Sequence, residues 1–387
     1  MLLTTASKQQ SAAAELARRL PDTVLSFRGY NVTNLGRTTE LLAHPAYGPI
    51  VEEHLAVVSG AASRILARPV DLTARVRGRR EPTLAEYGEA LALLIGVEAA
   101  QLAILHRVFG IDHRAARFAF GFSLGEIGAL VAGGILEPTA AITVPLALAD
   151  DAVALAHETT LGVLFTRSRE LVLSDVERLC LEVNQQGAGV VGISAQLAPN
   201  SLLVLGQGDT LDWLMARAAE SLPVHVHLRK NDHRWPPLHT PIVWEKQIPS
   251  RAAQLMHTLP FRLAAPTPPV LSLVTGEFSY TATTARGLLY RWIDQPQKLW
   301  DAVYQTLASG ATTVLHVGPA PNIVPATFRR LSEDVLSQLS GNHSLRALSA
   351  AVRRAWLRRL LPERTALLRA PYVEQIILED WLLAHAP

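Results

Sequence analysis

Two periodicities alternate along this chain. Continuous apolar runs at residues 24–27 and 116–120 read as short buried strands, the first ending at Gly29. Between them, Thr83 and Glu86 form a capping box that opens a long apolar helix, which the pattern carries through Leu105. Directly after the second run, Glu126, Ile127, Ala129, Leu130 and Val131 follow helical spacing. Pro138 fits the first turn of a further helix running toward Ala156, and Pro145 should bend or break it.

From Leu161 the texture changes. Residues 161–166 read as a strand, Ser174 with Glu177 caps a helix to about Gln185, and residues 190–196 and 201–206 read as two strands. Asp209 opens a helix to Ser221, and residues 224–228 alternate as a last strand. The order β-α-β-β-α-β is that of a ferredoxin-like unit. Residues 269–274 and 313–317 read as strands again, and beyond about Arg330 the pattern turns helical. The expected fold class is therefore α/β: a large α/β-hydrolase-like domain with an inserted ferredoxin-like (βαββαβ) small domain and a C-terminal helical extension. The boundaries follow: an N-terminal helical segment at 1–20, the discontinuous large domain at 21–159 and 236–335, the small domain at 160–235, and the extension at 336–387.

Composition narrows the function classes. With 36 basic and 34 acidic residues the net charge is +2, so no global field recommends a nucleic-acid partner. One cysteine, Cys180, excludes a disulfide framework and any zinc site built on thiolates. Residues 1–20 scatter Lys8, Arg18 and Arg19 and hold no apolar core of a signal peptide. The apolar stretch at 127–149 is broken by Glu137, Pro138 and Pro145, so it is not expected to span a membrane. These features predict a soluble cytoplasmic protein.

The candidate chemistry sits at Gly121, Phe122, Ser123, Leu124 and Gly125, a G-x-S-x-G pentapeptide between the second strand and the helix after it. The pentapeptide alone recurs by chance in about one chain in ten of this length. Its context gives it meaning, because a strand that turns sharply into a helix at a serine exposes Oγ and aims the first helical N–H groups at the same point. A serine hydroxyl needs a neighbouring base. Among 13 histidines, His239 lies in Pro236, Pro237, Leu238, His239, Thr240, Pro241, where prolines fix the backbone on both sides.

On these residues the sequence resembles the malonyl-CoA:acyl carrier protein transacylases and the acyltransferase domains of polyketide synthases. The matching pieces run in order: Gly121 to Glu126 with Ala129, Leu130 and Val131, then Asn200 and Ser201 leading to Gly206, then His239, Thr240, Pro241 and Ile242, and finally His316, Val317, Gly318 and Pro319. The resemblance covers about residues 24–331. It implies ping-pong acyl transfer between thioesters, with Ser123 as nucleophile, His239 as base and then acid, and coenzyme A and phosphopantetheine thioesters as substrates. No permanently bound cofactor or metal is implied, and the implied partners are acyl-CoA and an acyl carrier protein. The oxyanion would be held by backbone N–H groups of Leu124 and, from the loop after the first strand, of Thr33.

Departures from the family pattern matter as much. Phe122 stands where the family usually has histidine. The arginine that pairs with malonate's carboxylate falls at Leu148, and a glutamine near the active-site histidine falls at Trp292. Leucine cannot pair a carboxylate, so the acyl group is expected to carry none, unless Arg28 or Arg234 reaches it. Phe122, Leu148, Trp292, Arg28 and Arg234 are the acyl-pocket candidates. The alternatives are a thioester hydrolase with the same Ser/His pair and a catalytically silent acyltransferase-like binding protein.

Three other patterns carry less. Gly187, Gly189 and Gly192 match G-x-G-x-x-G but precede a strand instead of opening a helix. His225 and His227 share a strand face with Asp232, His233 and His239 nearby, a pattern that fits a metal cluster of three convergent ligands or plain alternation on a half-buried strand. Arg346, Arg353, Arg354, Arg358, Arg359, Arg364 and Arg369 read as a solvated helical face or a docking patch for an acidic carrier.

Overall fold

The computed structural model describes residues 2–167, 169–340 and 363–387. Eight strands form two sheets: β1 (Thr23–Phe27), β2 (Phe118–Gly121), β3 (Thr159–Phe165), β4 (Val191–Ala198), β5 (Ser201–Gln207), β6 (His227–Arg234), β7 (Thr313–Val317) and β8 (Glu374–Ile377). The first sheet is parallel, in the order β2-β1-β7-β8. Every residue of β1, β2 and β7 is buried, as parallel strands covered on both faces require, which is why they read as unbroken apolar runs. The register aligns Phe27 with Gly121 and with Val317. The loops leaving these strands therefore meet at one edge of the sheet, where open parallel sheets place their sites.

The helix Tyr87–Phe109 passes through the core and ends at Gly110, which takes the left-handed conformation with φ 69°. The segment Leu84–Phe109 is long and apolar enough to cross a membrane by composition. Here its all-round apolarity is used inside the fold, between the helices Gly48–Ile65 and Leu124–Ala132. The prolines break the next expected helix into three pieces, Pro138–Ala141, Thr143–Ala147 and Ala149–Ala156.

The second sheet is antiparallel, in the order β4-β5-β3-β6, and the elements from β3 to β6 run β-α-β-β-α-β with helices Leu173–Asn184 and Thr210–Ser221. These helices cover one sheet face. Gln297 bridges to Ala195 of β4 and ties this sheet to the rest of the molecule.

Four expectations change. The last strand of the second sheet is β6 at His227–Arg234, not 224–228: it is an edge strand of mostly exposed polar residues, so apolar alternation could not mark it. Residues 269–274 form one parallel bridge, Ala119 to Val270, before the chain turns through Ser272 and Gly276. The C-terminal extension is not purely helical, because β8 joins the parallel sheet beside β7 and is followed by the helix Leu378–Ala384. A four-residue strand is too short to show a period. Finally, most of the arginine-rich stretch lies outside the described residues, and Arg369 is not solvated: it is buried and donates to the carbonyl oxygens of Leu307 and Ala311.

Candidate active site

Ser123 stands at the turn between β2 and the helix Leu124–Ala132, with φ 54° and ψ −122°. This is a sparsely populated conformation for a residue with a side chain, costing about 1–3 kcal/mol. Two glycines allow it. A Cβ on Gly121 would overlap the backbone of Gly125, and one on Gly125 would overlap the carbonyl of Phe27, so strand, turn and helix cross closer than any side chain permits. His239 is the second strained residue, with φ 64°. Its amide donates to the Ile293 carbonyl at 2.7 Å, and Thr240 Oγ1 closes the proline-rich loop onto the Pro237 carbonyl at 2.7 Å.

The structure brings these two side chains together. Ser123 Oγ lies 2.8 Å from His239 Nε2, and His239 Nδ1 lies 2.6 Å from the Trp292 carbonyl oxygen. The carbonyl is an acceptor only, so it holds the proton on Nδ1 and leaves the Nε2 lone pair facing the hydroxyl. Burial pushes the imidazole down to about 4, which keeps it neutral and able to accept a proton. Trp292 also acts on the serine, because its indole Nε1 donates to the Ser123 carbonyl at 3.1 Å. One residue thus orients both.

Two cavities meet at Ser123. Behind it, a narrow cavity runs among Leu91, Ile127, Leu136, Ala140, Val144, Leu148, Met256, Leu289 and Trp292. Apart from the Ser123 hydroxyl and Tyr87, its lining side chains are apolar, and none is charged. In front of it, a wider cleft opens between the two sheets, lined by Tyr30, Asn31, Phe122, Ser194, Asn231, Trp235 and Asn322 along with apolar residues of β3 and β5.

The remaining candidates fall as follows. Leu148 is 5% exposed and lines the rear cavity. Phe122 is buried and lines the front cleft. Arg28 is not available to a substrate carboxylate: its guanidinium is spent on the carbonyls of Gly29, Thr33 and Pro319 and on Asn34 Oδ1, and burial lowers its pKa to about 10. Arg234 is exposed, bonds the Thr159 carbonyl at 3.2 Å and lines neither cavity. Leu124 begins the helix, where its amide has no intrahelical acceptor. The placement of Thr33 differs from expectation. Its carbonyl is turned to Arg28 and it lines neither cavity, whereas a Cβ on Gly29 would come within 2.5 Å of the Phe122 carbonyl and 3.2 Å of Ser123 Cβ. The chain turns toward the serine immediately after β1, at Gly29.

Sequence reasoning missed two residues. Gln297 is fully buried, and its Oε1 accepts from the Ser123 amide at 3.3 Å. Glu126, one turn after the serine, is fully buried and accepts from Ser272 Oγ and Tyr280 OH, both at 2.7 Å, and from the Leu273 amide at 3.2 Å. Burial raises it to about 7 against those three donors. A lone Gln far along the chain carries no signal. A Glu in an otherwise apolar helix start was visible, and its buried partners were not. Among the described residues no group of three or more metal-ligating side chains occurs.

No protein-family model matches the sequence, and comparison with curated proteins finds no match. Solved structures do match. FabD of Acinetobacter baumannii superposes with a TM-score of 0.64 at 17% identity, over 95% of this chain and 98% of that one. The malonyl-CoA:acyl carrier protein transacylase of Xanthomonas oryzae gives 0.62 at 22% identity, over 79% and 90%. A malonyl-transacylase solved in complex with a type II polyketide synthase acyl carrier protein gives 0.60 at 21%, over 79% and 92%. The chain has the fold of these transacylases: an α/β architecture with one parallel and one antiparallel sheet. Its candidate site is a half-buried serine against a buried histidine at the carboxyl edge of the parallel sheet.

Proposed function

We propose that this protein is an acyltransferase that moves a non-carboxylated acyl group from coenzyme A to the phosphopantetheine thiol of an acyl carrier protein through an ester on Ser123. The observation that carries the reading is the 2.8 Å contact between Ser123 Oγ and His239 Nε2 at the mouth of a cavity without a charged side chain. In acylation Oγ attacks the thioester carbonyl carbon while Nε2 takes its proton. The oxyanion meets the Leu124 amide and an amide of the loop after β1. There the amides of Asn31 and Val32 are taken by the side chains of Asn34 and Asn31, and those of Asn34 and Leu35 by Glu81. That leaves the amides of Tyr30 and Thr33, and of these Tyr30, next to Gly29 and lining the cleft, is the better placed second donor. The carbon–sulfur bond then breaks, and the imidazolium returns its proton to the departing coenzyme A sulfur. A carrier thiol entering by the front cleft repeats the sequence in reverse.

Leu148 and the absence of any cavity arginine argue against a malonyl group, since a carboxylate buried there without a partner costs several kcal/mol. Transfer is favoured over hydrolysis by the apolar surroundings and by the histidine's partner. Its Nδ1 faces a carbonyl rather than a carboxylate and burial lowers its pKa, so the imidazole is a weak base that activates an incoming thiol more readily than the much less acidic water.

The test is incubation with acetyl-, octanoyl- and malonyl-CoA followed by intact mass measurement, with and without a phosphopantetheinyl carrier protein. A transferase gives an ester on Ser123 that persists until the carrier is added, favouring the uncharged groups. Turnover without carrier identifies a hydrolase, no ester and no turnover identifies a silent binding protein, and labelling by malonyl-CoA alone reverses the substrate assignment.

A further inference from the structure

The rear cavity takes in both Ser123 and Leu136, which is 4% exposed. The same leucine also lines a separate open cleft on its other side, with Val131, Pro260, Phe261 and Arg262. Neighbouring residues divide in the same way. Leu259 faces the cavity while Pro260 lines the cleft, and Ile127 faces the cavity while Val131, one turn on, lines the cleft. A single layer of side chains therefore separates the two spaces. Its backbone is clamped: the Ile135 amide donates to the Leu130 carbonyl at 2.9 Å, the Arg262 amide to the Ile135 carbonyl at 3.0 Å, and the Thr267 amide to the Gly133 carbonyl at 3.0 Å. A wall held in this way cannot retreat from a longer ligand.

We infer that Leu136 is the residue that limits the length of the acyl chain, and that the site takes medium-chain acyl groups whose terminal methyl abuts it. The inference rests on the acyl-enzyme reading above. Its scale follows from the helix Leu124–Ala132, which lies along the cavity between Ser123 and the wall and spans on the order of 10 Å at its usual rise per residue. An acetyl group leaves that length empty, forfeiting the contacts each methylene makes, and a long-chain group overruns it. Beyond the wall the cleft mixes charged side chains, among them Arg107, Asp112 and Arg262, with the apolar Leu102, Ala103 and Phe261, so an overrunning chain can emerge into it once the partition is opened.

The experiment measures the rate of ester formation on Ser123 by intact mass with acetyl-, octanoyl-, lauroyl- and palmitoyl-CoA, in the full chain and in the variants Leu136→Ala, Leu136→Val and Ala140→Phe, each checked for folding by thermal melting. The unaltered protein should prefer octanoyl to both extremes. In Leu136→Ala the palmitoyl to octanoyl rate ratio should rise about tenfold or more, since one methylene in a fitted pocket is worth at least that. Leu136→Val should move it in the same direction by less. Ala140→Phe puts a ring into the cavity and should shift the preference toward acetyl. A ratio unchanged in the folded Leu136 variants, or equal rates with octanoyl and palmitoyl in the unaltered protein, overturns the ruler while leaving the acyl-enzyme intact. No ester with any chain overturns the acyl-enzyme reading and the ruler with it.

Discussion

The two spaces that meet at Ser123 are built on different physics. The rear cavity lies within the helices of the parallel-sheet part, its lining side chains apolar apart from Ser123 and Tyr87, its walls buried and its far end clamped by main-chain hydrogen bonds. The front cleft lies between the two sheets and mixes Asn31, Ser194, Asn231 and Asn322 with aromatic rings and aliphatic strand residues. An acyl chain is recognised by volume alone, so a rigid apolar slot discriminates it well. A pantetheine arm carries amides and needs polar partners along a path that lets it leave. The serine and histidine sit where the two regimes join, which is where the proposed transfer would hand a group held by one to something held by the other.

Removing the junction should erase both functions. Ser123→Ala should abolish ester formation with every acyl-CoA, a loss of more than about a thousandfold seen as a missing mass shift; any residual ester at another residue breaks the comparison. His239→Gln keeps polarity but cannot accept the hydroxyl proton, and acylation should fall by about 10²–10⁴-fold. The pH profile sharpens this. Because burial holds the imidazole near 4, acylation kcat/KM should stay level as pH falls from 8 to about 5 and decline through pH 4, where protonation removes the base. A midpoint near 6.5 would show instead a solvated histidine.

The next largest effect belongs to the cavity side. Leu148→Arg places a guanidinium against the acyl group, and the malonyl to octanoyl rate ratio should rise by about 10- to 100-fold, with a fall in melting temperature from the buried charge. A ratio that does not move would mean that Leu148 does not contact the acyl group. The smallest change is expected in the cleft. Asn231→Ala removes at most one or two hydrogen bonds to the arm and should raise KM for the thioester by about 2- to 10-fold with little change in chain-length preference. If it altered that preference instead, the division of labour between the two spaces would be wrong.

The elements were legible where one face or both are uniformly apolar, as in β1, β2 and the helix Tyr87–Phe109. They were illegible at the edges. β6 is exposed and charged and β8 is four residues long, so neither imposes a period on the sequence. In the site, Ser123 announced itself because its conformation needs glycines at fixed offsets, and His239 because prolines bracket it. Gln297 and the Trp292 carbonyl left no trace of their roles, since a backbone group or a single amide side chain acts by position alone.

By itself the sequence determined the strand-turn-helix at Ser123, the rigid loop at His239 and the leucine at 148, because each depends on local covalent geometry or on one residue's chemistry. Only the tertiary structure decided that Oγ and Nε2, 116 positions apart, stand 2.8 Å from each other, and that both candidate arginines are engaged elsewhere. It also decided that Leu136 stands between the rear cavity and the cleft beyond it. Those facts depend on how distant segments pack, and packing is set by the whole core rather than by any stretch of chain within it.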